Sequence, residues 1–279
     1  MKRCVVVVAL LMAATACNES KASSQTTGPS TTTITSPIPD TTVATATSAA
    51  APALRTVLTV GDGVMFDEQP ALAAALAPAR QLGDAYFGSG LTRPEQYDWE
   101  QQWSQLVAKE HPDVVTVLTG VWDARPTIEV GGQTLAIGTP EWVQYYKGRV
   151  ARAVEVLSAG GGTVAWVLPL SESDADKSGR LAIVDQTIRD TVAGDPRVVV
   201  IDGDRLLSGT PDRFLARGPD GSPLRKTDGE HLCPAGAAAL AQGVRDALQG
   251  RFALPPAWDR TGRWTQDDRY RNPTEGCTS

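Results

Sequence analysis

Asp228 and His231 stand three residues apart in the run Asp228-Gly229-Glu230-His231-Leu232-Cys233-Pro234-Ala235-Gly236. On one turn of backbone that spacing lets a carboxylate meet an imidazole. Such a couple does acid–base chemistry when the carboxylate fixes one ring nitrogen and the other nitrogen faces a reacting group. A second stretch is Val57-Leu58-Thr59-Val60-Gly61-Asp62-Gly63-Val64-Met65-Phe66-Asp67. Four residues of strand character end in Gly-Asp-Gly, and a helix-like run from Pro70 to Leu76 follows. A tight turn from a strand's C-terminal end into a helix N-terminus is where α/β folds place reactive groups. Gly63 has no side chain to attack with, but a backbone N–H at a helix start suits an anion or a carbonyl oxygen. The other histidine, His111 in Lys109-Glu110-His111-Pro112, precedes a strand at the opposite end of the sheet and is read as incidental. With two histidines in all and no closely spaced Cys or His cluster, no metal site and no cofactor are expected.

The elements that must position these residues alternate. Strand character covers Thr56–Val60, Arg80–Phe87, Val114–Leu118, Thr163–Leu168 and Val198–Ile201. Helical spacing covers Asp67–Ala79, Tyr97–Glu110, Glu141–Ala159, Arg180–Ala193 and Ala235–Leu248, with Gly160-Gly161-Gly162 ending the third. The continuous β-branched run at Val114–Leu118 suits a strand buried on both faces. Strand–helix alternation implies right-handed crossovers and a three-layer α/β/α sandwich around a five-stranded parallel sheet.

The surroundings of Gly61-Asp62-Gly63 resemble the first sequence block of the SGNH (GDSL) hydrolases, and Asp228-x-x-His231 with its Pro-x-Gly helix start resembles the last. The resemblance runs in order and spacing over about residues 56–250 and implies the flavodoxin-like fold of that family. It makes His231 the general base and Asp228 the residue that orients it. Gly63 falls where the family has its serine nucleophile. Gly90, in Gly88-Ser89-Gly90-Leu91-Thr92, matches the glycine that gives an oxyanion-hole N–H, although a plain Gly-rich loop reads the same way. Trp122, in Thr119-Gly120-Val121-Trp122-Asp123, stands where the family's oxyanion asparagine would be. Its indole N–H is a donor of different geometry, and its ring suits stacking on a sugar or walling off the cleft. Asp62, Gly63, Gly90, Trp122 and Asp123 are the expected binding set. Loss of a serine nucleophile costs about six orders of magnitude in kcat, on the order of 8 kcal/mol. Acyl-serine chemistry at Gly63 is thereby excluded, and Ser89 is a substitute only if it moves to face His231.

Composition sets the setting. The chain has 279 residues, 42% of them hydrophobic, and a net charge of −6, which argues against general nucleic-acid binding. Lys2 and Arg3 precede an apolar run, Val5 to Ala13, too short to span a bilayer. Ala14-Thr15-Ala16-Cys17 then resembles a bacterial lipobox, so residues 1–17 read as a lipoprotein signal with Cys17 lipidated; an ordinary secretory signal cut after Ala16 is the other reading. Residues 18–54, rich in Ser, Thr, Pro and Ala, read as a tether. Residues 55–250 form the domain, and 251–279 a tail. Cys233 and Cys277 remain as a pair in an oxidising compartment and are expected to bond, pinning the tail beside the site. The tail's Trp258, Trp264 and Tyr270 either pack on the domain or line a sugar cleft.

These readings converge on an exported, membrane-anchored monomer of the cell envelope. One version has lost catalysis and binds an acylated glycan or a lipid in the cleft. A second is an active esterase or acyltransferase whose Asp228–His231 couple activates water. A third is structural only.

Overall fold

The computed structural model describes residues 50–277. The signal, Cys17 and nearly all of the tether lie outside them. In chain order the elements are β1 (Thr56–Gly61), α1 (Gly63–Ala75), β2 (Arg80–Ala85), α2 (Trp99–Glu110), β3 (Val114–Leu118), β4 (Thr127–Val130), β5 (Gln133–Ala136), α3 (Pro140–Leu157), β6 (Thr163–Val167), α4 (Ala175–Val192), β7 (Val198–Ile201), α5 (Gly203–Ser208) and α6 (Pro234–Leu248). Three short 3-10 turns follow in the tail.

Five strands form one sheet in the order β2-β1-β3-β6-β7, all parallel, as the sequence implies. Period-two alternation divides the core between its two faces. Val57, Val114, Leu118, Ala165 and Val167 pack with α1 and α6. Leu58, Val60, Val115, Val117 and Trp166 pack with α2, α3 and α4. The second layer is anchored by Trp99, Trp103, Trp142 and Trp166, all buried. Burial of one such ring removes roughly 150–250 Å² from water, so this face carries much of the hydrophobic stabilisation.

The chain leaves β1 in one direction along the sheet to β2 and returns past β1 to β3. Ligands of open parallel sheets bind where the order reverses, outside the strands' carboxyl ends. Here that crevice lies at Gly61 and Leu118, which the Asp62 N–H joins by donating to the Leu118 carbonyl at 3.2 Å. The approach is tight: a Cβ on Gly61 would stand 1.8 Å from the Leu118 oxygen.

Several expected boundaries shift. α1 begins at Gly63 rather than Asp67, because the Asp62 carboxylate caps it by accepting from the Val64 N–H at 3.0 Å. α4 begins at Ala175 rather than Arg180, with Asp174 as its cap. The antiparallel pair β4–β5 and the short α5 were not expected. The pair is joined by Gly131-Gly132, both at positive φ, which is the turn chemistry of a two-residue hairpin.

The Cys233–Cys277 disulfide is present, at an S–S distance of 2.07 Å. The tail packs on α1 and α6. The Trp258 indole donates to the Gln242 side chain at 2.8 Å, and the rings of Trp258, Trp264 and Tyr270 follow one another at 5.9 and 6.3 Å. Of the two readings of those aromatics, the structure shows packing.

Candidate functional site

α1 and the loop before α6 bring Gly63 and His231 together. His231 and Glu230 donate their backbone N–H groups to Asp228 Oδ1 at 3.0 and 2.9 Å, which fixes the carboxylate on the turn. Its other oxygen, Oδ2, lies 2.8 Å from His231 Nδ1. Burial works against charge on Asp228, but those two N–H groups and the imidazole outweigh it and hold its pKa below the usual carboxylate range. His231 Nε2 is buried and has no partner among the described residues. It points at Gly63: a Cβ built there would stand 2.6 Å from Nε2.

A glycine in place of a serine would leave a gap the size of a hydroxymethyl group beside His231, and the structure fills it. The imidazole advances into that space, and the ring of Phe87 closes it from another side, with Cδ1 and Cε1 both 2.8 Å from where the Gly63 Cβ would be. Phe87 is 55% exposed and stacks obliquely on both Phe66 and His231 at 5.1 and 5.8 Å. An exposed aromatic residue in a Gly-rich loop gives no local signal of this contact.

Gly90 sits in the loop after β2. Its neighbours Leu91 and Thr92 donate backbone N–H groups to Asp123 at 3.0 and 2.8 Å, and the hydroxyls of Thr92 and Tyr146 donate at 2.7 and 3.2 Å. Asp123, expected in the binding set, is wholly buried and anchors the Gly90 loop. Burial raises its pKa despite those four donors. The N–H groups of Gly63 and Gly90 have no acceptor among the described residues. Ser89 is turned away, its hydroxyl buried and donating to the Gly61 carbonyl at 3.1 Å. Trp122 is 40% exposed, with the Arg93 guanidinium 5.0 Å over its ring. Its Cβ approaches Gly90. Asp62 is buried beneath the site; desolvation raises its pKa to about 7.

A cleft of about 440 Å³ opens beside His231. Phe66 and Phe87 line one part, Asp67, Lys226 and Asp228 another, and the tail closes it with Asp268, Arg269, Asn272 and Glu275. Asp67 accepts from the Leu232 N–H and from Lys226 Nζ; desolvation nonetheless raises its pKa to about 6. Among the described residues no group of His, Cys, Asp and Glu side chains could hold a metal ion. His111 ends α2 in a left-handed conformation, φ 45°, at the far end of the sheet.

Solved structures of low identity share this fold. LAE5, an alpha/beta hydrolase enzyme from the metagenome of Lake Arreo, Spain, superposes with a TM-score of 0.51 at 16% identity, over 72% of this chain and 98% of its own. A GDSL-like lipase from Bacteroides thetaiotaomicron superposes with a TM-score of 0.51 at 12% identity, over 70% of this chain and 88% of its own. No curated protein matches the chain by sequence. A family model described as a protein of unknown function, DUF459, matches residues 56–247 and leaves the tail outside. The chain belongs to that DUF459 family, and its fold is the one it shares with the GDSL-like lipase.

Proposed function

We propose that this is an exported, lipid-anchored protein of the bacterial cell envelope that has given up acyl-serine chemistry and binds an acylated or glycan ligand in the cleft beside His231. One observation carries the reading. The position that His231 Nε2 faces is a glycine, and the space of its missing side chain is taken up by the imidazole and by Phe87. No nucleophile stands there, and any side chain at that position would press on both rings. The signal-like run through Cys17 supports export and anchoring.

A second reading has one observation in its favour. The Asp228–His231 couple keeps its hydrogen bond, with Nε2 unpartnered. A base so oriented is what direct water attack on an ester needs once Phe87 swings aside.

The full chain, tested against short-chain aryl esters and O-acetylated sugars, separates the two. Binding without turnover is expected. Turnover that disappears in His231→Ala would establish the esterase instead, and absence of both binding and turnover would leave a structural component. Labelled palmitate incorporated in the native host and lost in Cys17→Ser checks the anchor.

A further inference from the structure

Asp185, in α4, is only 6% exposed and has no counterion. Neither of its carboxyl oxygens accepts a hydrogen bond among the described residues, and Oδ1 is sealed from solvent. Buried polar groups in folded chains almost always have partners, so one without any marks a place where something else supplies them. The neighbouring buried carboxyl, Asp204, is satisfied: Ser171 gives it its N–H at 3.1 Å and its hydroxyl at 2.5 Å.

Asp185 borders a cavity of about 260 Å³. Gln186 and Arg189 line it from the same face of α4, and Asp202, Arg205 and Asp212 from the segment after β7. None of these residues lines the cleft beside His231. The two guanidinium groups are both turned to Asp202: Arg189 Nη2 lies 2.8 Å from its Oδ2, and Arg205 Nε 3.5 Å from the same oxygen. Asp185 pairs with neither. Asp212 stands exposed in the loop that closes the cavity, in a left-handed conformation at φ 52°, and its charge acts on Asp185.

What Asp185 and Asp212 lack is a donor that carries positive charge. Among the described residues no set of His, Cys, Asp and Glu side chains fits a metal ion. A primary ammonium puts the charge and three N–H donors on one small centre. Its alkyl stem would run against Ala182 and Pro211, which complete the lining.

We propose that the cavity between α4 and the segment after β7 is a binding site for a primary ammonium group, held by Asp185 and Asp212. The site is independent of the reading of the His231 cleft. It also predicts a proton exchange. Desolvation raises the pKa of Asp185 well above the usual carboxylate range; Asp204, Asp212 and Asp202 add to the rise, and Arg189 opposes it. From α3, Tyr146 is a further titratable group within reach of its charge. Without a ligand the carboxyl therefore keeps a proton, which an entering ammonium displaces to solvent. Affinity should rise with pH until the amine itself loses its proton, near about pH 10.4.

Titration of the full chain with butylammonium, followed by NMR at the amides of Asp185, Gln186 and Asp212, tests the site. Butyltrimethylammonium is the control for charge without N–H donors, and butanol for the stem without charge. Butylammonium is expected to bind at least about tenfold more tightly than either, and more tightly at about pH 8 than at about pH 5. Asp185→Asn keeps the shape and should weaken butylammonium about tenfold and flatten the pH dependence. Should that variant not fold, Asp212→Asn decides, because asparagine tolerates the left-handed backbone of this exposed position; it too should weaken binding. Nα-acetyl-lysinamide separates two sources of the same group: binding like butylammonium upholds the site and admits a lysine of a polypeptide, and exclusion upholds it for free amines. Absence of butylammonium binding, equal binding of butyltrimethylammonium, or affinity that both variants leave unchanged overturns the proposal and leaves Asp185 a buried acid satisfied by water.

Discussion

Pro70 frees the carbonyl that Arg269 takes. A proline inside a helix has no N–H to give the carbonyl four residues before it, and in α1 that carbonyl belongs to Phe66. Arg269 Nη1, 203 residues further along the chain, donates to it at 2.7 Å. The helix that begins at the candidate site is thus completed by the tail.

Arg269→Ala should cost about 1.5–3 kcal/mol, the worth of a hydrogen bond from a charged donor to a buried acceptor. Pro70→Ala restores a helical N–H, so the double variant Pro70→Ala/Arg269→Ala should lose less than Arg269→Ala alone. Urea denaturation of the four proteins gives the coupling, expected near 1 kcal/mol. Strict additivity would show that the proline and the arginine are unrelated.

Gly63→Ser recreates the side chain that SGNH enzymes use, but not their surroundings. Its Cβ would press on His231 Nε2 and on the Phe87 ring. Overpacking of this kind costs about 1–3 kcal/mol. The single variant should melt at lower temperature and turn over no aryl ester. Adding Phe87→Ala should recover part of the stability. A Gly63→Ser protein as stable as the parent would mean that the space beside His231 is open.

Much of this arrangement was legible in the sequence, and the rest fails for identifiable reasons. Val114–Leu118 reads true to the residue because a strand buried on both faces leaves a continuous apolar run; Val198–Ile201, an edge strand with Val200 exposed, does so because all four of its residues are β-branched. The start of α1 was misread because its cap, Asp62, sits among glycines that look like loop; the capping carboxylate was the available signal. Gly131-Gly132 marked the β4–β5 hairpin and was missed. Asp228 and His231 were readable because their contact is local. Phe87 over Gly63 and Arg269 on Phe66 are contacts between distant segments that no periodicity encodes. For Arg269 the only trace is indirect: Pro70 within a helical run announces an unpaired carbonyl.

The Gly90 loop should depend on Asp123. Four donors converge on that buried carboxylate. Asp123→Ala strands them without acceptors, a loss of about 3 kcal/mol or more. Asp123→Asn keeps one acceptor oxygen and should cost less. Hydrogen exchange at Leu91 and Thr92 reports it directly: both amides should be protected in the parent and exchange freely in Asp123→Ala. Continued protection would place the loop's anchor elsewhere.

Between about pH 5 and about pH 8 stability should fall as pH rises, and Glu68 is one reason. It is fully buried in α1 with no hydrogen-bond partner for either oxygen, and desolvation raises its pKa to about 8 from a reference of 4.5. Below about pH 4.5 folded and unfolded chains both hold this proton. Between there and about pH 8 only the folded chain holds it, so each pH unit removes up to about 1.4 kcal/mol. Asp62 and Asp67, raised to about 7 and about 6, act in the same direction over lower windows. Glu68→Gln is neutral in both states and removes the Glu68 contribution. Urea denaturation at about pH 5 and about pH 8 should show the parent losing several kcal/mol between them and the variant losing at least about 2 kcal/mol less. Equal losses in the two proteins would mean that the Glu68 carboxyl is ionised and paired in the folded chain.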